Sequence, residues 1–251
     1  MRKTTSPDQL ISSPENEIVR RLRRLARRRE PGLVLLEGPR VIAEAEASGL
    51  DLELVAVREG YEFTARSGKR VTLSAGVFRA ISQTVTPQGV IAIGRIDEPD
   101  VRSAIDAARR ARWPLVVLDG VQDPGNVGAI CRTAAAAGAP ALAVLQGSAD
   151  PYGAKAVRAS AGNVFRLKVA RASWNDLAEL DGYGAAASGG ETLAEAPIEN
   201  AGMIVFGSEA HGLSRSDLKL VTVSLSEGVE SLNVAAAAAL ILFQVRRRLA
   251  A

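Results

Sequence analysis

The chain has 251 residues, 47% of them hydrophobic, and carries a formal net charge of +3. This admits one large domain or two small ones with a well-filled core, and no apolar run approaches the roughly 18 residues that a membrane span needs. Cys131 is the single cysteine, so no internal disulfide can form, and a reducing, cytoplasmic setting is expected.

Residues 1–12 are polar, carry Pro7 and lack the apolar stretch of a secretory signal, so disorder is expected there. Ser13-Pro14-Glu15 is a helix start, and the helix should run to about residue 29, before Pro31. Within it, residues 20–29 hold seven arginines in ten positions. Charge of one sign at that density is a footprint for a polyanion, most simply nucleic acid, although a solvated helix face is the alternative. With aromatics at 4%, no dedicated base-stacking platform is expected, so any grip should be phosphate-dominated and salt-sensitive.

Strands are expected at 33–37, 52–57, 71–73 and 88–96, with helices at 39–48 and 74–82, making a small α/β module. A polar, Ala-rich helix at 97–112 should link it to a second module. There, strands are expected at 115–118, 141–145, 164–169, 183–187, 203–206 and 220–225. Helices are expected at 127–137, 154–160 and 174–180, and one long helix at 232–248. The resulting boundaries are a basic N-terminal extension at 1–30, a first domain at 31–97, a linker at 98–112 and a second domain at 113–251. The second domain reads as an open, mostly parallel α/β sheet, whose ligand sites belong at the C-terminal strand ends.

Three polar islands fall at that edge. The first, Asp119-Gly120-Val121-Gln122-Asp123-Pro124-Gly125-Asn126-Val127-Gly128, leads to Arg132; Asn126 as a helix cap and Arg132 as a surface charge remain the plain alternative. The second, Phe206-Gly207-Ser208-Glu209-Ala210-His211-Gly212-Leu213-Ser214, puts a carboxylate after a buried strand and a glycine where a flat ligand can approach the backbone. The third, Glu230-Ser231-Leu232-Asn233-Val234-Ala235, sets a hydroxyl and a carboxamide two residues apart at a helix start, where Ser231 is otherwise an ordinary cap.

In order and spacing these islands resemble the three motifs of the SpoU/TrmH family of RNA ribose 2′-O-methyltransferases, of the SPOUT superfamily. The words Leu36-Glu37-Gly38-Pro39-Arg40 and Thr84-Val85-Thr86-Pro87-Gln88-Gly89-Val90 resemble the L30e-like substrate-binding domain that accompanies it. The resemblance covers residues 31–248. It implies an L30e-like α/β domain, then a SPOUT α/β domain with a deep trefoil knot, a homodimer, and S-adenosylmethionine as methyl donor with no metal. By the same resemblance, Asn126, Arg132, Glu209, Ser231 and Asn233 form the active site, and Gly207, Val223, Leu232 and Ala187 hold the cofactor. Arg132 would meet the phosphate beside the target ribose. A guanidinium stays protonated, so orienting the phosphate and steadying a developing alkoxide suit it better than accepting a proton.

His211, the sole histidine, is read as a loop residue, and the general base stays open. Arg20, Arg21, Arg24 and Arg40 are the candidates for RNA contact. The expected substrate is structured RNA, foremost 23S ribosomal RNA, with transfer RNA as the alternative. A non-catalytic RNA-binding protein on the same fold would not need all five active-site residues. A nucleotide-dependent oxidoreductase would need an acid after the second strand, where Leu145-Gln146-Gly147 stands.

Overall fold

The structure is a computed structural model that describes residues 10–250. Most of the segment expected to be disordered, 1–9, lies outside the described residues. The first elements are β1 (Leu10–Ile11), α1 (Glu17–Arg27), β2 (Leu33–Glu37), α2 (Pro39–Ala47), β3 (Leu52–Arg58), β4 (Lys69–Leu73), α3 (Ala75–Ile81) and β5 (Val90–Arg95). They build a five-stranded sheet of order β1-β4-β3-β5-β2, in which β3 runs parallel to β4 and antiparallel to β5.

The basic N-terminal segment is not an extension. Val19, Leu22 and Leu25 recur at helical spacing, are fully or almost fully buried, and join the same core as Phe78, Ile91 and Ile93. Asn16, rather than Ser13, caps α1 by accepting from the Ile18 amide at 2.9 Å. The words around Glu37 and Thr84 meet because β2 pairs with β5, and because the Glu37 carboxylate anchors the segment after α3. Glu37 is 6% exposed and accepts from the Ser82 hydroxyl, the Gln83 amide (3.1 Å) and the Thr84 hydroxyl (3.0 Å), which identifies it as a structural anchor.

The chain continues with α4 (Val101–Ala111), β6 (Leu115–Asp119), α5 (Pro124–Ala137), β7 (Ala141–Leu145), α6 (Ala154–Ala159), β8 (Lys168–Ala172), β9 (Gly182–Ala186), β10 (Glu191–Thr192), β11 (Met203–Gly207), β12 (Lys219–Thr222) and α7 (Val234–Leu249). Two compact units result, residues 1–97 with 152–165, and residues 98–151 with 166–251. The expected boundaries therefore need two corrections. Segment 152–165 belongs to the first unit, where α6 lies on β2. The expected linker helix, α4, is part of the second unit, burying Ala104, Ala107 and Ala108 against β6 and β7. An all-alanine buried face reads from sequence as a mild helix, yet it lets α4 lie close on the sheet.

The second unit carries a seven-stranded, wholly parallel sheet of order β10-β12-β9-β11-β6-β7-β8. β6, β7 and β11 are buried along their whole lengths, as their unbroken apolar runs require of strands covered on both faces. The expected strand at 164–169 is displaced, since 163–166 is a single 3-10 turn and β8 begins at Lys168. Residues 174–177 form another such turn, shorter than the helix expected there.

Candidate active site

β6 has β7 on one side and β11 on the other, so connections leaving these strands diverge and open a crevice at their C-terminal ends. All three polar islands flank that crevice. Asp123 caps α5 by accepting from the Gly125 amide at 3.1 Å, with Pro124 at the first helical position. Asn126 is thereby released from the capping role that the sequence left open. The third island resolves in the opposite sense. Asn233 caps α7, its Oδ1 accepting from the amides of Ala235 (2.9 Å) and Ala236 (3.4 Å), while Ser231 stands exposed before it.

Capping sets the polarity of a side-chain relay through all three islands. With its Oδ1 committed to α7, Asn233 donates from Nδ2 to Asn126 Oδ1 at 3.2 Å. Asn126 must then present its own Nδ2 outward, and donates it to Glu209 Oε1. Residues 107 and 83 positions apart are joined in one chain, and Glu209 ends it as acceptor. Arg132 is not part of it. Six residues beyond Asn126, about nine ångströms along the helix axis, it is exposed and makes no side-chain hydrogen bond or ion pair among the described residues. Its neighbour Cys131 is fully buried, and burial pushes its thiol up to about 12, which removes it as a nucleophile.

A cavity of about 700 Å³ opens beside the relay, at the ends of β9, β11 and β12. Gly207, Val223, Leu232 and Ala187 all line it, together with Glu209, Ser231 and Asn233. Gly207 is needed for a reason the sequence did not disclose. A Cβ there would stand 2.5 Å from the Gly212 carbonyl, because the Ser208–Gly212 turn folds back through paired bonds of 2.9 and 2.8 Å. The sequence reading missed Leu225 and Ile241 as lining residues. Leu225 looked like the end of a strand, but β12 stops at Thr222, which frees 223–233 to wrap the cavity. Apolar walls from Leu225, Leu232 and Ile241 with polar groups at Glu209 and Ser231 suit a molecule having a flat ring and a charged end, as S-adenosylmethionine has. Among the described residues, no group of three or more His, Cys, Asp or Glu is arranged to hold a metal ion. His211 does not line this cavity.

The RNA-contact candidates belong to the first unit and divide into two pairs. Arg21 is bound to Glu53, and Arg24 donates from Nε to Glu30 at 2.6 Å. Arg20 and Arg40 are exposed and have no side-chain partner among the described residues, as is also true of Arg27 and Arg28. Burial on α1 thus splits the arginine run into a tethered part and a free part.

Comparison with known proteins places both units. Residues 114–243 match the SpoU rRNA Methylase family, and residues 16–92 match the MRM3-like substrate binding domain. The chain is 30% identical to the 23S rRNA (guanosine(2553)-2′-O)-methyltransferase RlmP of Bacillus subtilis, over 94% of this chain and 98% of that protein. It is 33% identical to the 23S rRNA (guanosine-2′-O-)-methyltransferase RlmB of Xylella fastidiosa, over 83% of this chain and 88% of that one. An AdoMet-bound rRNA methyltransferase from Sinorhizobium meliloti superposes with a TM-score of 0.81 at 27% identity, covering 96% of this chain and 98% of that structure.

Proposed function

The chain belongs to the SpoU rRNA methylase family, and on that premise we propose that it methylates a ribose 2′-hydroxyl of large-subunit ribosomal RNA with S-adenosylmethionine. The observation that carries the reading is the Glu209–Asn126–Asn233 relay at the mouth of a cofactor-sized cavity. Bound there, the cofactor supplies a methyl group already activated by its sulfonium charge. Gly207, Val223, Leu232 and Ala187, which line the cavity, would hold it, with Leu225, Ser231 and Asn233 beside it.

The chain's own contribution is orientation and electrostatics. A ribose hydroxyl is a weak acid, so the site must align it and steady the charge that grows on its oxygen. Arg132 binds the adjoining phosphate with a guanidinium that stays charged throughout. The relay holds the Asn126 and Asn233 amides at fixed rotamers, and Ser231 offers a hydroxyl toward the sugar. Arg20, Arg27, Arg28 and Arg40 provide phosphate contacts from the first unit.

The reading extends to a homodimer and to the trefoil knot. Leu240 and Phe243 lie on one side of α7 and remain 49% and 47% exposed, an apolar strip suited to a second copy. At the far end of α7, Arg248 donates to the carbonyls of Leu193, Ala194 and Ala196 and pairs with Glu199, which fits a tail drawn past the 193–199 segment. A stable monomer by light scattering at micromolar concentration would count against the dimer. No helix among the described residues is long and apolar enough to cross a membrane, and a cytoplasmic location follows from the substrate.

The test is tritium transfer from labelled S-adenosylmethionine to transfer, small-subunit and large-subunit RNA pools. Label in the large-subunit pool, recovered as a 2′-O-methylated nucleoside, is the expected result. Label confined to transfer RNA would move the substrate. No label in any pool or in assembling ribosomal particles, despite cofactor binding, would leave a binding protein.

A further inference from the structure

A second cavity, of about 500 Å³, lies across the Ser208–Gly212 turn from the cofactor cavity, at the ends of β6, β7 and β8. The two share Ser208, Gly212 and Leu213, so the turn and the residue after it form a wall common to both. We propose that this second cavity receives the nucleobase of the nucleotide being methylated, stacked on Trp174 and read at its edge by Gln122 and Gln146. The inference rests on the methyltransferase reading above.

Trp174 is held like a platform. Its Nε1 donates to the Ser214 hydroxyl at 2.9 Å, and that hydroxyl donates to Asp119 Oδ1 at 2.9 Å. Asp119 is 4% exposed and also accepts from the Ser214 amide at 2.6 Å, so a buried carboxylate fixes the far end of the chain. The turn carrying the indole is itself clamped, with Asp176 accepting from the Ser173 amide (2.8 Å) and hydroxyl (2.7 Å). Over the ring, the Arg215 guanidinium stands 5.4 Å from the centroid, anchored by Asp217 through bonds of 2.5 and 2.8 Å. A half-buried indole that spends its only donor and three neighbours on staying still is arranged for a stacking partner.

The cavity edge matches a base in chemistry as well. Gln122 and Gln146 are exposed and make no side-chain hydrogen bond among the described residues. A carboxamide pairs a donor with an acceptor, as a base edge does, and glutamine makes such bidentate contacts. An extruded base is the fitting occupant, since a base inside a duplex offers neither a free face for Trp174 nor its pairing edge for the glutamines.

The experiment is steady-state methylation of RNA from the pool that the wild type labels, with Trp174→Ala and, because Gln146 is exposed and its loss spares the fold, Gln146→Ala. Trp174→Ala should raise KM for RNA about tenfold or more and Gln146→Ala about threefold, with cofactor affinity unchanged in both. KM within twofold of wild type for both would overturn the proposal. With the methylated position mapped, RNA abasic at that nucleotide should cost the wild type at least what Trp174→Ala costs, and cost that variant only the smaller share owed to the two glutamines. Losses that multiply would overturn the assignment to the methylated nucleotide. Should no RNA be labelled, the function reading fails on its own. The cavity is then tested by indole fluorescence with guanosine, adenosine, cytidine and uridine 5′-monophosphates. Saturable quenching by at least one of them, but not by ribose 5-phosphate, supports it, and no difference refutes it.

Discussion

Arg132 has its charge free because it is exposed and unpaired among the described residues, so binding a phosphate displaces water and none of these residues. Arg132→Ala should therefore lower methyl transfer at least about a hundredfold while cofactor affinity, by calorimetry, stays within about threefold. Equal losses in both would move the residue into the cofactor site. His211 lines the second cavity and not the first, across the turn from the proposed reacting centre. His211→Ala should leave kcat within about threefold, whereas a general base would cost on the order of a hundredfold or more. The identities of Asn126, Glu209 and Asn233 were legible from their islands. Their polarity was not, because it depends on which of Ser231 and Asn233 caps α7, and only the backbone course settles that. Trp174 was overlooked because low aromatic content argues about averages, while a single indole tied to Asp119 through Ser214 is a local matter.

At the scale of elements, α1 is attached to its sheet both by burial and by charge. Glu53 on β3 holds Arg21 of α1 and accepts from Arg95 of β5 at 2.9 Å. The hydrogen bond from Arg21 keeps the Glu53 carboxyl below its usual range, against the effect of burial. Because the folded value is depressed, the contribution is present above the unfolded value and disappears as pH falls through the folded one. Glu53→Gln should thus lower stability at neutral pH by less than about 1 kcal/mol, since both partners remain partly exposed. The gap from wild type should begin to narrow as pH falls below about 4, which thermal unfolding at pH 7 and pH 3 would reveal. A gap as wide at pH 3 as at pH 7 would assign the loss to packing. The arginine run signalled a polyanion partner from sequence, but the apolar spacing of Val19, Leu22 and Leu25 on the same helix carried equal weight for the fold. Charge density masked it.

At the scale of the molecule, RNA affinity should depend on the arginines that folding leaves free. Replacing Arg20, Arg27 and Arg28 together with Ala should flatten the slope of log affinity against log salt by about 2–3, with methyl transfer at saturating RNA preserved. An unchanged slope would show that α1 serves the core alone. Deleting the segment is not an equivalent test, because it would remove Val19, Leu22 and Leu25 from the core. The amino-acid sequence by itself determined the family, the alternation of strands and helices, the strand ends that carry the islands and the residue types gathered there. Such features are local, set by hydrophobic period, turn residues and short spacing. Tertiary structure alone decided that α1 and α6 join the first unit and α4 the second. It also decided that the Ser208–Gly212 turn divides two cavities, and that Glu209, Asn126 and Asn233 share one relay across separations of 83 and 107 residues. Contacts at that range depend on strand order, and a parallel sheet sets its order through crossovers that leave no local mark on the chain.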